Sequence, residues 1–294
     1  MADLTATTMA TYLPEVWSST ATITYRSNTV LVPLLDHRWE PEAGVGRGDT
    51  VNIPSFSQNA SPNNRGAGTG TFGTGASITF DAVTESQVQL AINRLYYKAF
   101  RLPVEMSAQA MSGYVPLLTD GIGQAIALQI DSDIASDNSN GIDAFSTTQG
   151  TDNVDVTDDD IIQCETNLNN NNAPLQDRFL VVSPATRGSL MKIDVLRNQL
   201  YSSSVGNLNG GAAAGYLGKV YTFDVYMSNN LESGTSGKKN GAFQREAIAY
   251  AEQTSVGVRK DLNVEDGLFD QYVGYTVCGW KEVKDGFGTE LDGK

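Results

Sequence analysis

Few residues in this chain of 294 have the type and spacing for covalent or metal chemistry. The single histidine, His37, sits in Leu35-Asp36-His37-Arg38-Trp39 with no nucleophile beside it. A Ser/His/Asp or Cys/His arrangement has nothing local to build on, and the residue reads as a surface or interface histidine. The two cysteines, Cys164 and Cys278, belong to no C-x-x-C or Cys/His cluster, which excludes a thiolate zinc site and a redox motif. Both lie in apolar patterns and are expected as buried free thiols. Gly68-Thr69-Gly70-Thr71-Phe72-Gly73 matches G-x-G-x-x-G. It follows a polar loop and precedes a strand, whereas a dinucleotide site needs a strand before it and a helix N-terminus after it. There is no G-x-x-x-x-G-K-[ST], and the acids around Asp152 to Asp160 lack the order of a calcium loop. No catalytic residue, cofactor site or metal site is expected, so the chain does not read as an enzyme.

Charge is informative in its distribution. Twenty Lys+Arg against 34 Asp+Glu give a formal charge of −14. Residues 102–177 contain no Lys or Arg and 13 acids, so one quarter of the chain carries nearly the whole imbalance. A general nucleic-acid binder needs a basic face to displace counterions, and docking on anionic lipid needs the same. Residues 1–11 lack the positive charge and apolar run of a signal peptide, and no stretch reaches the about 18 apolar residues of a membrane helix. The expectation is a soluble protein made in a cytoplasm.

The elements that would position any functional surface follow from periodicity. Val51 and Ile53, in Gly48-Asp49-Thr50-Val51-Asn52-Ile53-Pro54, mark a strand after a turn. A Gly/Asn/Ser-rich stretch from Gln58 to Gly75 is too polar to pack, and Val88, Leu90 and Ile92 then alternate with polar residues. Two strands around a long tip predict a protruding hairpin. From Met106 to Ile134 apolar residues recur at three and four positions, predicting a long amphipathic helix weakened by Gly113, Pro116, Gly121 and Gly123. Thr157 followed by Asp158, Asp159 and Asp160 predicts a capped helix start, ended by the Asn169–Asn172 run. Phe179–Val182 reads as a buried strand. Ser183-Pro184 opens a helix whose apolar face is Leu190, Ile193, Leu196 and Leu200. Val220–Met227, Ala247–Ala251 and Tyr272–Trp280 are further strands, the last apolar on both faces. The class is α+β with long connections.

That ordered series resembles the major capsid protein of tailed double-stranded DNA phages, the Hong Kong 97-type fold. Leu13-Pro14-Glu15-Val16-Trp17 is similar to its N-terminal arm, and Gly48 to Pro54 to the lead-in of its extended loop. Phe179 to Pro184 resembles the start of its axial domain, and the Leu217–Leu231 segment its glycine-then-strand motif ending in Ser-Asn. The resemblance implies an arm over 1–46, an extended-loop hairpin over 47–102 and a peripheral domain with a spine helix over 103–156. It further implies an axial domain over 157–265 and a return strand over 266–294. It implies a self-assembling icosahedral head shell of hexamers and pentamers, located in the virion. Its partners would be scaffold, portal and decoration proteins, with double-stranded DNA enclosed without sequence-specific binding. Arg47 and Arg65, which bracket the loop, are candidate contacts with a neighbour's acids; Asp131, Asp133 and Asp137 are candidates for an acidic inner wall. Two other readings stay open at this level: an encapsulin-like shell around protein cargo, and a β-rich surface adhesin.

Overall fold

The computed structural model describes residues 30–40, 48–56, 85–104, 114–197, 206–207, 215–263 and 267–294. The arm before Val30, the tip of the hairpin, Met106 and Ala110 lie outside the described residues. Chain order begins β1 (Thr50–Phe56), β2 (Glu85–Ala91), β3 (Arg94–Pro103), α1 (Tyr114–Ser136), β4 (Thr148–Gly150) and α2 (Asp158–Asn170). It continues β5 (Arg178–Val182), α3 (Pro184–Leu190), α4 (Asp194–Arg197), β6 (Gly206–Asn207), β7 (Tyr216–Val220) and β8 (Phe223–Met227). β9 (Lys238–Gln244), β10 (Ile248–Asn263), β11 (Phe269–Glu282) and β12 (Gly288–Gly293) complete it.

Three sheets organise these strands. β1 and β2 form an antiparallel ribbon in the register Thr50 opposite Ala91, as the alternation on either side of the loop requires. β10, β11 and β3 form a second, antiparallel sheet in that order. The third runs β4-β12-β9-β5-β8-β7-β6, with parallel pairs at β4/β12 and β5/β8.

Helix α1 lies against the three-stranded sheet. Ile122, Ile126, Ile130 and Ile134 recur every fourth residue, all 4% exposed or less, and pack with Leu102, Tyr250, Tyr272 and Trp280. Burying each isoleucine contributes about 2 kcal/mol. Helix α2 begins as its sequence dictates: the Thr157 side chain caps the Asp160 N–H, and the Asp160 carboxylate accepts from the Thr157 N–H at 2.8 Å, a capping box. Its buried stripe, Ile161, Cys164 and Leu168, meets Leu180, Val182, Val225, Ala242 and Leu291 of the large sheet. Both cysteines are buried and free.

Three segments differ from the sequence reading. Val220–Met227 is not one strand. Tyr221 takes a left-handed φ of 51° and turns the chain, so β7 and β8 pair as a hairpin. No Gly, Asn or Pro announces that turn; the Tyr221 hydroxyl, donating to Asp158 at 2.5 Å, helps hold a conformation that costs about 1 kcal/mol or more in a non-glycine residue. The helix expected from Pro184 onward breaks at Met191–Ile193, where i→i+3 bonds from Lys192 and Ile193 tighten the chain before α4. Residues 94–103, read only as the end of the hairpin, form β3 and pair with β11 along ten residue pairs.

Candidate functional site

The three aspartates singled out on the long helix do not present free charge. Asp131 is 0% exposed; it accepts the Val30 N–H at 2.6 Å and the Val32 N–H at 3.3 Å. Asp133 accepts the Tyr96 hydroxyl at 2.6 Å and the Gln129 amide at 2.8 Å. The Asp137 side chain, only 10% exposed, takes the Arg94 guanidinium, the Trp280 indole N–H at 3.1 Å and the Ser139 N–H at 3.0 Å. Burial works to raise the Asp137 carboxyl, but the bonds from Ser139 and Arg94 outweigh it and hold it below the usual carboxylate range. Arg94 also lies 3.7 Å over the Trp280 ring. These side chains therefore knit α1 to β3, β11 and the 30–35 segment. The helical period that places Asp131 in step with Ile130 and Ile134 was the signal, visible in the sequence, that it faces inward. Arg47 and Arg65 lie outside the described residues.

The surface that stands out is one the sequence reading did not single out. Along β3, Tyr96 and Leu102 turn toward α1, and Phe100 stacks on Tyr272 at 4.9 Å. The alternate residues face the other way: Leu95 is 60% exposed and Tyr97 70%. Their partners across β11 are Val277 and Tyr275. One end of this face is covered by the β1–β2 ribbon, whose Val51, Ile53, Leu90 and Ile92 pack on Ala249 and Ala251 of β10. Among the described residues β3 pairs only with β11, and no described strand lies along its second edge. A groove of about 370 Å³ runs beside that edge, lined by Lys98, Phe100, Leu102, Leu118 and Ile122. Large apolar side chains exposed side by side on a sheet face favour association.

Elsewhere, buried polar residues are spent on the fold. Lys239 on β9 contacts Asp143 and, at 3.1 Å, Glu290 of β12; burial pushes the Glu290 carboxyl up to about 6. His37 contacts Glu40 at 2.7 Å and the Val32 carbonyl at 2.8 Å, with its ring edge-on to Tyr250. Among the described residues no group of three or more His, Cys, Asp or Glu is placed to hold a metal, and no helix is long and apolar enough to cross a membrane.

No curated protein matches the sequence. Solved structures do. Mycobacterium phage Che8 superimposes with a TM-score of 0.72 at 22% identity, covering 95% of this chain and 97% of the other. The capsid structure of cyanophage P-SCSP1u gives 0.69 at 14%, covering 98% and 94%. The asymmetric unit of the bacteriophage PhiM1 mature capsid gives 0.67 at 12%, covering 95% and 91%. The fold is thus the α+β, Hong Kong 97-type fold of tailed-phage capsids. The model of the phage capsid protein family matches residues 67–286, most of the chain. The chain belongs to that family: it is a structural protein of the phage head shell, assembled from many copies and located in the virion capsid.

Proposed function

We propose that this subunit builds an icosahedral shell of hexamers and pentamers around double-stranded DNA, without catalysis of its own and without reading DNA sequence. The observation that supports it best is the β3 face. A lone subunit leaves Leu95 and Tyr97 in water, and packing against a neighbouring copy relieves that exposure. In this reading residues 1–46 are an arm and 47–102 an extended loop whose tip, beyond β1 and β2, is laid over a neighbour, with Arg47 and Arg65 meeting its acids. Residues 103–156 and 266–294 form the peripheral domain and 157–265 the axial domain. Scaffold, portal and decoration proteins are the remaining partners.

Electron microscopy of the protein purified from producing cells tests the shell, and nucleic-acid content of the particles tests its cargo. Leu95→Glu with Tyr97→Glu is expected to leave a folded subunit that no longer forms shells. Normal shell yield from that variant would remove the β3 face from the assembly contacts, and particles filled with protein instead of DNA would overturn the genome-enclosing role.

A further inference from the structure

The β1–β2 ribbon packs on one end of the three-stranded sheet, at Ala249, Ala251 and Val277. Further along the same face Tyr275 lies opposite Tyr97, and the next row holds Arg259, Val273 and Ala99. The Arg259 guanidinium sits 5.4 Å from the centre of the Tyr275 ring, and Tyr97 beside it is 70% exposed. Arg259 is itself exposed. Lying over a ring uses the flat face of a guanidinium and leaves its N–H edge for an acceptor. Tyrosine and arginine together are the residues that dominate binding energy at protein interfaces.

Among the described residues Arg259 pairs with no carboxylate. The acids nearest along the sheet are engaged elsewhere: Lys260 holds Asp270 at 2.8 Å, and Asp261 accepts the Leu262 N–H at 2.9 Å. The chain as a whole carries −14, and residues 102–177 hold 13 acids without one Lys or Arg. Asp159, exposed in the first turn of α2, belongs to that stretch. In a shell of many copies the neighbouring subunit is the abundant source of carboxylate.

We propose that Arg259, with Tyr275 and Tyr97, is a carboxylate-recognising clamp on which a second copy of this chain docks through an acidic side chain. The inference rests on the assembly reading above and adds an ionic contact to its apolar one. Leu95 and Tyr97 supply apolar area without direction. A guanidinium meets a carboxylate through two parallel N–H···O bonds, which fixes orientation and register. Covering the pair removes water and strengthens it, whereas a neighbour offering Lys or Arg at that place is repelled.

Shell yield from producing cells tests this, with Arg259→Glu set against Lys98→Glu. Lys98 is exposed and lines the groove on the α1 side of the sheet, so the two variants change net charge equally on opposite faces. Arg259→Glu is expected to lower the yield about tenfold or more, the loss of one charge-assisted pair at each contact being of that order. Lys98→Glu is expected to leave it near native. Thermal unfolding of the Arg259→Glu subunit should match the native one, because the side chain lies in water. In shells assembled from light and heavy isotope-labelled Arg259→Lys subunits, carbodiimide is expected to couple the introduced amine to a carboxylate of another copy, read by mass spectrometry. Native yield from Arg259→Glu, equal loss from Lys98→Glu, or coupling at position 259 only within one chain or to no carboxylate overturns the clamp. Each of these leaves the shell reading standing, since the native chain still assembles; a native chain that forms no shell overturns that reading and the clamp with it.

Discussion

Arg178 opens β5 and is the largest side chain among those wholly enclosed, at 1% exposure. Its Nε donates to the Pro174 carbonyl at 2.8 Å, and its Nη2 to Ala173 O at 2.7 Å and Asn169 Oδ1 at 2.8 Å. It thereby satisfies the chain end of α2 and the turn that follows, with no carboxylate in ion-pair range among the described residues. Burial draws its pKa down, the expected sign for a cation without a counter-ion. Arg178→Met keeps the apolar stem and removes the donors. Three bonds from a charged group, at about 1.5 kcal/mol apiece on the conservative side, amount to roughly 4–5 kcal/mol. Relief from burying an unpaired charge returns about 1–2, leaving a net loss of about 3 kcal/mol. At 2–4 °C per kcal/mol for a protein of this size, the melting midpoint should fall by roughly 6–12 °C. Arg178→Lys, able to reach part of the acceptor set, should lose about half as much. The assay is thermal unfolding of the unassembled subunit followed by circular dichroism. A Met variant melting within about 2 °C of the native protein would refute the reasoning, because the guanidinium's desolvation would then cancel its hydrogen bonds.

Other perturbations follow from the same contacts. Asn240 is fully buried; its Oδ1 accepts from the Ser183 N–H at 2.8 Å and the Thr186 hydroxyl at 3.1 Å, while its Nδ2 donates to the Leu291 carbonyl at 3.0 Å. Asn240→Asp sets an acceptor against that carbonyl and should cost about 2–4 kcal/mol, read as a lower urea midpoint with unchanged slope. Lys239→Met leaves Asp143 and Glu290 without their cation, raising the already elevated Glu290 carboxyl further. A raised carboxyl destabilises the fold when ionised, so the variant should be about 3 kcal/mol weaker at pH 8 and recover as pH falls toward 5; equal loss at both pH values would contradict this. Gly279→Ala would put a Cβ 2.2 Å from the Ala91 carbonyl oxygen and 2.9 Å from the Ile92 Cα, both backbone atoms. Soluble yield should collapse, and a native yield would show that the ribbon can slide off β11.

Much of the architecture was legible because its signals are local. The Thr157 cap, the Ser183-Pro184 helix start and the period-two ribbon depend on residues within a few positions of one another. The β7/β8 turn was not legible, because Tyr221 reverses the chain with a side-chain bond to a helix more than sixty residues earlier. β3 was missed for a similar reason. Arg94-Leu95-Tyr96-Tyr97 alternates only in its partners, and its strand character comes from β11, far along the chain.

The sequence by itself determined the uneven charge of −14 and an order of elements resembling a capsid subunit. Tertiary structure alone decided what the acids of α1 do. The capsid resemblance made Asp131, Asp133 and Asp137 candidates for an acidic inner wall. Folding brings the Val30 turn, Tyr96, Arg94 and Trp280 onto them from remote parts of the chain. A carboxylate's cost or benefit depends on the donors within about 3 Å, and those are set by packing, not by neighbours in sequence.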